Sequence, residues 1–201
     1  MYRTAVTTVF LATLAIILAD LAVRLLRRRN PSPAQRAPGE EAVSPSPSTL
    51  LRFLRVAVNT VALLALAAVA STGFSALLPK ENVMTGDRLI WHVAFAPAFA
   101  IAAVAITLFW AHQNRFAAAD GGRLTSAYTW AIPLRKFFFW SAVVLSVPTL
   151  LSILAAMFPL FGTDDQEDLF RIHRYCAPLL AAAAILFTYF ALVSWRERSR
   201  D

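Results

Sequence analysis

The chain has 201 residues, of which 58% are hydrophobic and only 15% are charged. Soluble domains carry about 25% charged residues, so this composition excludes an ordinary soluble domain. The net charge of +7 does not indicate nucleic-acid binding, because the basic residues stand in short clusters between long apolar runs, as they do in membrane proteins.

Five apolar runs follow one another along the chain, and each is long enough to cross a bilayer core of about 30 Å as a helix. They cover residues 5–26, 53–78, 89–111, 137–158 and 172–194. Backbone groups in lipid must hydrogen-bond to one another, and long runs rich in Ala and Leu do so as helices. The sequence therefore predicts an all-α integral membrane protein, with a four-helix transmembrane bundle and one extra N-terminal transmembrane helix.

The first run does not have the pattern of a cleaved signal peptide, which starts with basic residues and ends at small ones. Here Arg3 stands alone in front, and a basic cluster at 27–29 follows the run. This order of charges predicts a membrane helix whose N-terminus lies outside. Asp20 is predicted to pair with Arg24, which lies four residues later on the same helix face.

Residues 30–49 separate the first helix from the rest of the chain. This segment holds five prolines and five Ser or Thr residues, and it cannot bury enough apolar surface to fold. The predicted organisation has a first helix that stands apart from the membrane domain. Its parts are an N-terminal transmembrane helix (1–29), a disordered cytoplasmic linker (30–49) and a four-helix membrane domain (50–201).

The distribution of basic residues predicts the orientation. If all five runs span the membrane, 14 of the 19 Lys and Arg residues fall on the same side. Loops rich in Lys and Arg stay in the cytoplasm. The N-terminus is therefore predicted outside and the C-terminus in the cytoplasm.

The membrane domain has the pattern of two copies of one helical hairpin, each with a basic start, a Pro at its outer end and a second helix. The matching positions lie 80 or 81 residues apart and are Arg55 with Arg135, Pro79 with Pro159, His92 with His173, and Ala96 and Pro97 with Ala177 and Pro178. Internal repeats of this kind are frequent in membrane transport proteins.

His92 and His173 are predicted at the same depth, just inside the outer ends of two different helices. Two imidazoles in this arrangement can bind one haem iron from opposite faces, which leaves no open position for oxygen and suits electron transfer. An ionisable residue inside a membrane is a functional candidate by default. The alternative is that both are ordinary interfacial residues, and the residues alone leave the two interpretations open.

Other polar residues complete the candidate set. Arg88, Arg171 and Arg174 lie near the same helix ends and are candidates to neutralise haem propionates, although solvated loop charges would look the same from the sequence.

His112 lies 20 residues after His92, about 30 Å further along a helix, so it cannot serve the same haem. The sequence favours an interfacial residue at this position. The functional alternative is a quinone contact on the cytoplasmic side, together with Asn114 and Asn59.

From about residue 50 to residue 195 the chain resembles the gamma, or cytochrome b, subunit of membrane-bound bacterial formate dehydrogenases. Three stretches carry the likeness: DRLIWHVAFAPAFAIAAVAITLFWAHQNRF (87–116), LRKFFFWSAVV (134–144) and LFRIHRYCAPLLAAAAILFTYFALVSW (169–195). The first looks like the family's second helix, which opens with a haem-ligating His, and the third resembles the fourth helix, with a His near its outer end. The resemblance implies a cytochrome b bundle in a bacterial cytoplasmic (inner) membrane.

The sequence also departs from the family pattern. The family usually binds two haems, and the outer haem takes the two His that match His92 and His173. The ligands of the inner haem are missing, because the first core helix begins LRFLRVAVNT (51–60) without a His and the deeper position of the last helix is Phe187. We therefore expect one haem b, on the outer side, and an inner site filled by side chains.

The leading hypothesis is a membrane-anchoring cytochrome b subunit that carries electrons between an outer-face dehydrogenase, or its iron–sulfur subunit, and quinone. The chain has no nucleotide-binding glycine loop and no nucleophile–base pair, so it is predicted to be a non-catalytic subunit of an oxidoreductase complex. The alternative is a haem-free anchor or scaffold subunit of a membrane complex. A transporter is disfavoured, because few polar residues lie near the middle of the runs.

Overall fold

A computed structural model of the chain describes residues 2–29, 49–75, 84–116 and 131–198. Its helices are α1 (Tyr2–Arg29), α2 (Thr49–Ser75), α3 (Asp87–Trp110), α4 (Ala131–Ala156) and α5 (Thr163–Arg198). A 3-10 turn (His112–Asn114) follows α3, and the described residues contain no β-strand. Each of the five helices contains a segment long and apolar enough to span a membrane. The prediction of an all-α, multi-pass membrane protein is confirmed, whereas the predicted linker lies outside the described residues except for Thr49.

All five helices begin before the apolar runs that predicted them, and the extension is longest in α4 and α5. α4 begins at Ala131, and Pro133 lies in its first turn, where the missing N–H of proline costs no helical hydrogen bond. α5 begins at Thr163 in a polar segment that the sequence indicates as a loop. Asp164 and Asp165 occupy its first turn, and their charges interact favourably with the positive end of the helix dipole. Hydropathy marks only the part of a helix that lies in lipid, so it misses such extensions.

The four core helices form two hairpins. α2 packs antiparallel to α3, and α4 packs antiparallel to α5, in agreement with the predicted repeat. The two hairpins meet each other at only a few points. One of these is near the turn after α3, where Trp140 Nε1 donates to the Asn114 carbonyl at 2.9 Å. Sparse contact between the hairpins leaves space between them along the bundle.

α1 packs against α5 and runs parallel to it, a contact that the sequence did not predict. Near one end the rings of Tyr2 and Tyr175 meet edge to face at 5.6 Å. Near the other end Tyr189 donates its hydroxyl hydrogen to Asp20 Oδ2 at 2.6 Å. The predicted pair with Arg24 is confirmed, with Arg24 Nε at 2.6 Å from the same oxygen. Asp20 is fully buried by these contacts.

The two ends of the bundle differ in chemistry. We call one the basic end, because the described side chains of Arg24, Arg55, Arg115 and Arg135 lie there. The other is the histidine end, with His92 and His173. Between the two ends many large apolar side chains are exposed, as expected where they contact lipid.

Candidate functional site

His92 of α3 and His173 of α5 lie side by side at the histidine end. The centres of their imidazole rings are 6.3 Å apart, and the ring planes are close to perpendicular at 84°. Both side chains are partly buried. The structure therefore brings together the two histidines that the repeat relates, although they belong to different hairpins.

A threonine on α2 determines the proton position on the His92 ring. Thr72 Oγ1 lies 3.0 Å from His92 Nδ1. The single hydroxyl hydrogen of Thr72 points back to its own helix, where the carbonyls of Ala68 and Val69 are at 2.8 and 3.0 Å. The threonine oxygen is thus the acceptor, and His92 Nδ1 is the donor. This network assigns the lone pair of the neutral imidazole to Nε2.

The His173 ring is held in the same tautomer by a backbone group of α4. His173 Nδ1 lies 2.8 Å from the carbonyl oxygen of Thr149. A carbonyl can only accept, so Nδ1 carries the hydrogen and Nε2 carries the lone pair. Each histidine is thus held through Nδ1 by an oxygen of the other helix in its own hairpin.

Gly73 makes room for the His92 ring. A Cβ atom built on Gly73 would lie 3.3 Å from His92 Cε1 and 3.7 Å from Nδ1. The first distance is shorter than ordinary carbon–carbon contact. An alanine at this position would require the imidazole to shift by a few tenths of an ångström.

The spacing of the two rings is compatible with one metal ion between them. Two imidazoles that bind a metal from opposite sides have ring centres roughly 6 Å apart, since metal–imidazole bonds are about 2.0 Å long. Ligating histidines usually donate the hydrogen of their second nitrogen to a protein acceptor, as both do here. The described residues contain no group of three or more His, Cys, Asp or Glu side chains that could hold a metal ion by themselves. A metal held by the two imidazoles would need further ligands.

The three candidate arginines are not equivalent. Arg88 lies one helical turn before His92, on the same side of α3, and its Nη1 donates to the Ser75 carbonyl at 3.3 Å. Arg171 and Arg174 line a separate surface pocket with Tyr2, beside α1. The structure thus places only Arg88 on the helix face that carries a candidate ligand.

A second feature is a cavity of about 400 Å³ between the two hairpins, which we call the inter-hairpin cavity. It extends from the middle of the bundle to the basic end, and residues of α2, α3, α4 and α5 line it, including Leu66, Phe99 and Phe139. Phe187, the position that matches a missing inner ligand, also lines it. The expectation that side chains fill this inner space is wrong, because the hairpins do not close over it.

Two of the three predicted quinone contacts line this cavity, namely Asn59 and Asn114. Asn114 is buried, and its Nδ2 donates to the Trp110 carbonyl at 3.0 Å. His112 is exposed and is not among the lining residues. Its nearest polar partner is Arg115, whose Nη1 is 3.5 Å from His112 Nδ1.

Sequence reasoning missed the residues that support the histidines. Thr72 and Gly73 were not singled out, and neither was Thr149, whose contribution is a backbone carbonyl. The available signal was the Thr72–Gly73 pair near the end of α2, since Gly73 is the only glycine in that helix.

Comparison of the chain with protein-family models, with curated proteins and with solved structures finds no match in any of the three. The function is therefore argued from the arrangement of the side chains.

Proposed function

We propose that this protein is a membrane subunit that carries electrons through a single haem b held by His92 and His173. The observation that carries the proposal is the pairing of the two rings at 6.3 Å with both Nδ1 atoms engaged by the protein. Haem would be held by these two histidines and, when bound, would supply a reversible one-electron couple.

The residues present fit such a group. Both Nε2 atoms carry lone pairs, as iron ligands must. Thr72 and the Thr149 carbonyl each hold a proton at Nδ1, which fixes the ring orientation and raises the basicity of the imidazole. With His92 and His173 both held as iron ligands, no position would remain for oxygen or water, so the group would supply electron transfer and not substrate activation. Arg88 lies next to His92 on the outer side, where a cationic group can neutralise a propionate.

The proposed orientation places the basic end in the cytoplasm and the histidine end at the outer face, in accordance with the positive-inside rule. The membrane is then the bacterial cytoplasmic (inner) membrane. The proposed partners are an outer-face dehydrogenase or its iron–sulfur subunit and a quinone in the bilayer. The resemblance to the gamma subunit of formate dehydrogenases makes a formate dehydrogenase one candidate complex.

A haem-free anchor or scaffold subunit is the second candidate. The observation that favours it is the inter-hairpin cavity, whose lining includes Phe187 at the position of a lost ligand and no histidine. A chain that has lost one cofactor site is a candidate to have lost both.

The deciding experiment is purification in mild detergent, followed by haem quantification and a reduced-minus-oxidised spectrum. We expect about one b-type haem per chain, because the described residues provide one bis-imidazole pair. Folded protein without haem, made in cells supplied with excess haem, would leave the anchor as the better account. Two haems per chain would contradict the single site.

Thr72→Val is expected to weaken haem retention about tenfold and to lower the basicity of His92. Valine has nearly the same shape as threonine but offers the His92 ring no hydrogen-bond acceptor. The measurement is haem loss to apomyoglobin, together with the midpoint potential of the haem that remains. Thr60→Val is the matched control, since Thr60 is an exposed threonine on the same helix. Equal retention and equal potentials in both variants would remove the positioning role of Thr72.

A further inference from the structure

The inter-hairpin cavity opens toward the surrounding bilayer. Leu63 of α2 and Leu192 of α5 both line it, and their side chains are 49% and 56% exposed. α2 and α5 meet at very few points, so the opening lies between them. The cavity is thus a side slot in the wall of the bundle and not a sealed void.

The walls of the slot are mainly apolar, and they include Leu66, Ile106, Phe139 and Val143. A water molecule needs about two to four polar partners to be held in a cavity, and these walls do not provide them along most of the slot. Leaving such a space empty would lose the dispersion contacts of all its lining atoms. The acyl chains of the surrounding lipids are apolar and lie next to the opening of the slot, so they are suited to fill it.

The end of the slot at the basic end is cationic. Arg135 and Gln113 line the cavity there. The guanidinium of Arg55 lies beside Gln113, and with the amide oriented to accept, its oxygen is 3.0 and 3.2 Å from the two Arg55 nitrogens. Arg135 Nη1 lies 3.4 Å from Ser194 Oγ. Arg135 therefore lines the end of the apolar slot, and Arg55 lies next to the lining residue Gln113. The planar guanidinium groups of both match phosphate oxygens.

We propose that this slot binds an anionic phospholipid of the bilayer. One acyl chain occupies the apolar part between the hairpins, and the phosphate lies at the mouth between Arg55 and Arg135. Basic pockets between transmembrane helices at the cytoplasmic side are suited to anionic headgroups. The inference is independent of haem, because the slot and the histidines lie at different depths.

Other occupants fit less well. The lining residues include no histidine, so a second bis-imidazole haem has no ligands there. A quinone would find hydrogen-bond donors in Asn59 and Arg135, but it is neutral and would leave the positive charge at the mouth uncompensated, whereas a phosphate neutralises that charge.

The test compares phosphatidylglycerol with phosphatidylcholine carrying the same acyl chains, each added to the purified protein in detergent. Bound lipid is counted by native mass spectrometry, and thermal unfolding is followed in parallel. We expect one retained phosphatidylglycerol per chain and a preference over phosphatidylcholine of roughly 30-fold, since each Arg near an anionic lipid contributes about fivefold. Inorganic phosphate alone is expected to have no effect, because it cannot fill the apolar slot.

Two variants separate the charged mouth from the apolar slot. The double variant Arg55→Gln/Arg135→Gln is expected to abolish the preference, whereas Arg115→Gln, which changes an exposed arginine at the same end, retains it. Ala184→Leu fills part of the slot without changing any charge, and it is expected to reduce retention of both lipids. If the double variant does not fold, lipid retention by Ala184→Leu alone tests the proposal.

Three results would overturn the proposal. They are equal binding of the two phospholipids by the unaltered protein, an equal effect of inorganic phosphate, and full phosphatidylglycerol retention by Ala184→Leu. Retention of a quinone that excludes phosphatidylglycerol would likewise assign the slot to the quinone.

Discussion

His173→Ala and His92→Ala are each expected to lower bound haem from about one per chain to near zero. A single remaining imidazole leaves the metal with one open axial position, and the loss in retention should exceed the factor of about 10 to 100 that follows removal of a supporting residue. The measurement is the pyridine haemochrome content of purified, monodisperse protein. Spectra of any residual haem should change from a low-spin to a high-spin type, because one strong axial ligand is gone.

His112→Ala is the matched control for both variants. It removes an exposed histidine at the opposite end of the bundle, so the composition changes equally while the paired rings remain. Full haem content in His92→Ala or His173→Ala would show that the haem is bound elsewhere. Addition of free imidazole to either variant provides a further check, since it can restore the missing ligand only if the site is otherwise intact.

Asp20→Ala is expected to destabilise the protein by about 2–3 kcal/mol, because it removes a charge-assisted hydrogen bond and leaves buried partners without their acceptor. Asp20 is fully buried, and its Oδ2 accepts from Tyr189 and from Arg24, each at 2.6 Å. The measurement is reversible unfolding in mixed micelles. Detachment of α1 should also expose the Tyr175 face of α5 to labelling or proteolysis before the core unfolds.

Tyr189→Phe is the graded control for this prediction. It keeps the Asp20–Arg24 pair and the aromatic packing, and it removes only the hydroxyl, so about 1 kcal/mol is expected. Unchanged stability in Asp20→Ala would mean that α1 is held by apolar packing alone.

Hydropathy predicted the five helices well because lipid imposes long, continuous apolar segments on any helix that spans it. The internal repeat predicted that His92 and His173 belong at equivalent positions, and the structure brings them to 6.3 Å. Both predictions rest on spacing along the chain, which the sequence states directly.

The missed features depend instead on how helices rotate and approach. Thr72 supports His92 only because α2 turns that face toward α3, and the hydropathy of α2 does not reveal its rotation. The inter-hairpin cavity reflects sparse packing between hairpins, which composition does not encode. The sequence did contain one indication that α1 packs against another helix, because Asp20 inside an apolar run needs more than one polar partner. Its second partner, Tyr189, could not be identified because it lies 169 positions away.

The distance along the chain between Asp20 and Tyr189 also bears on biosynthesis. α1 leaves the ribosome and enters the bilayer long before α5 has been made. During that interval its carboxylate has only Arg24, one turn further along the same helix, so the ion pair lets α1 be inserted without its later partner. Once α5 has been inserted, Tyr189 donates a second hydrogen bond to the Asp20 carboxylate. α1 is thereby held against α5, and this contact can form only after α5 has been synthesised.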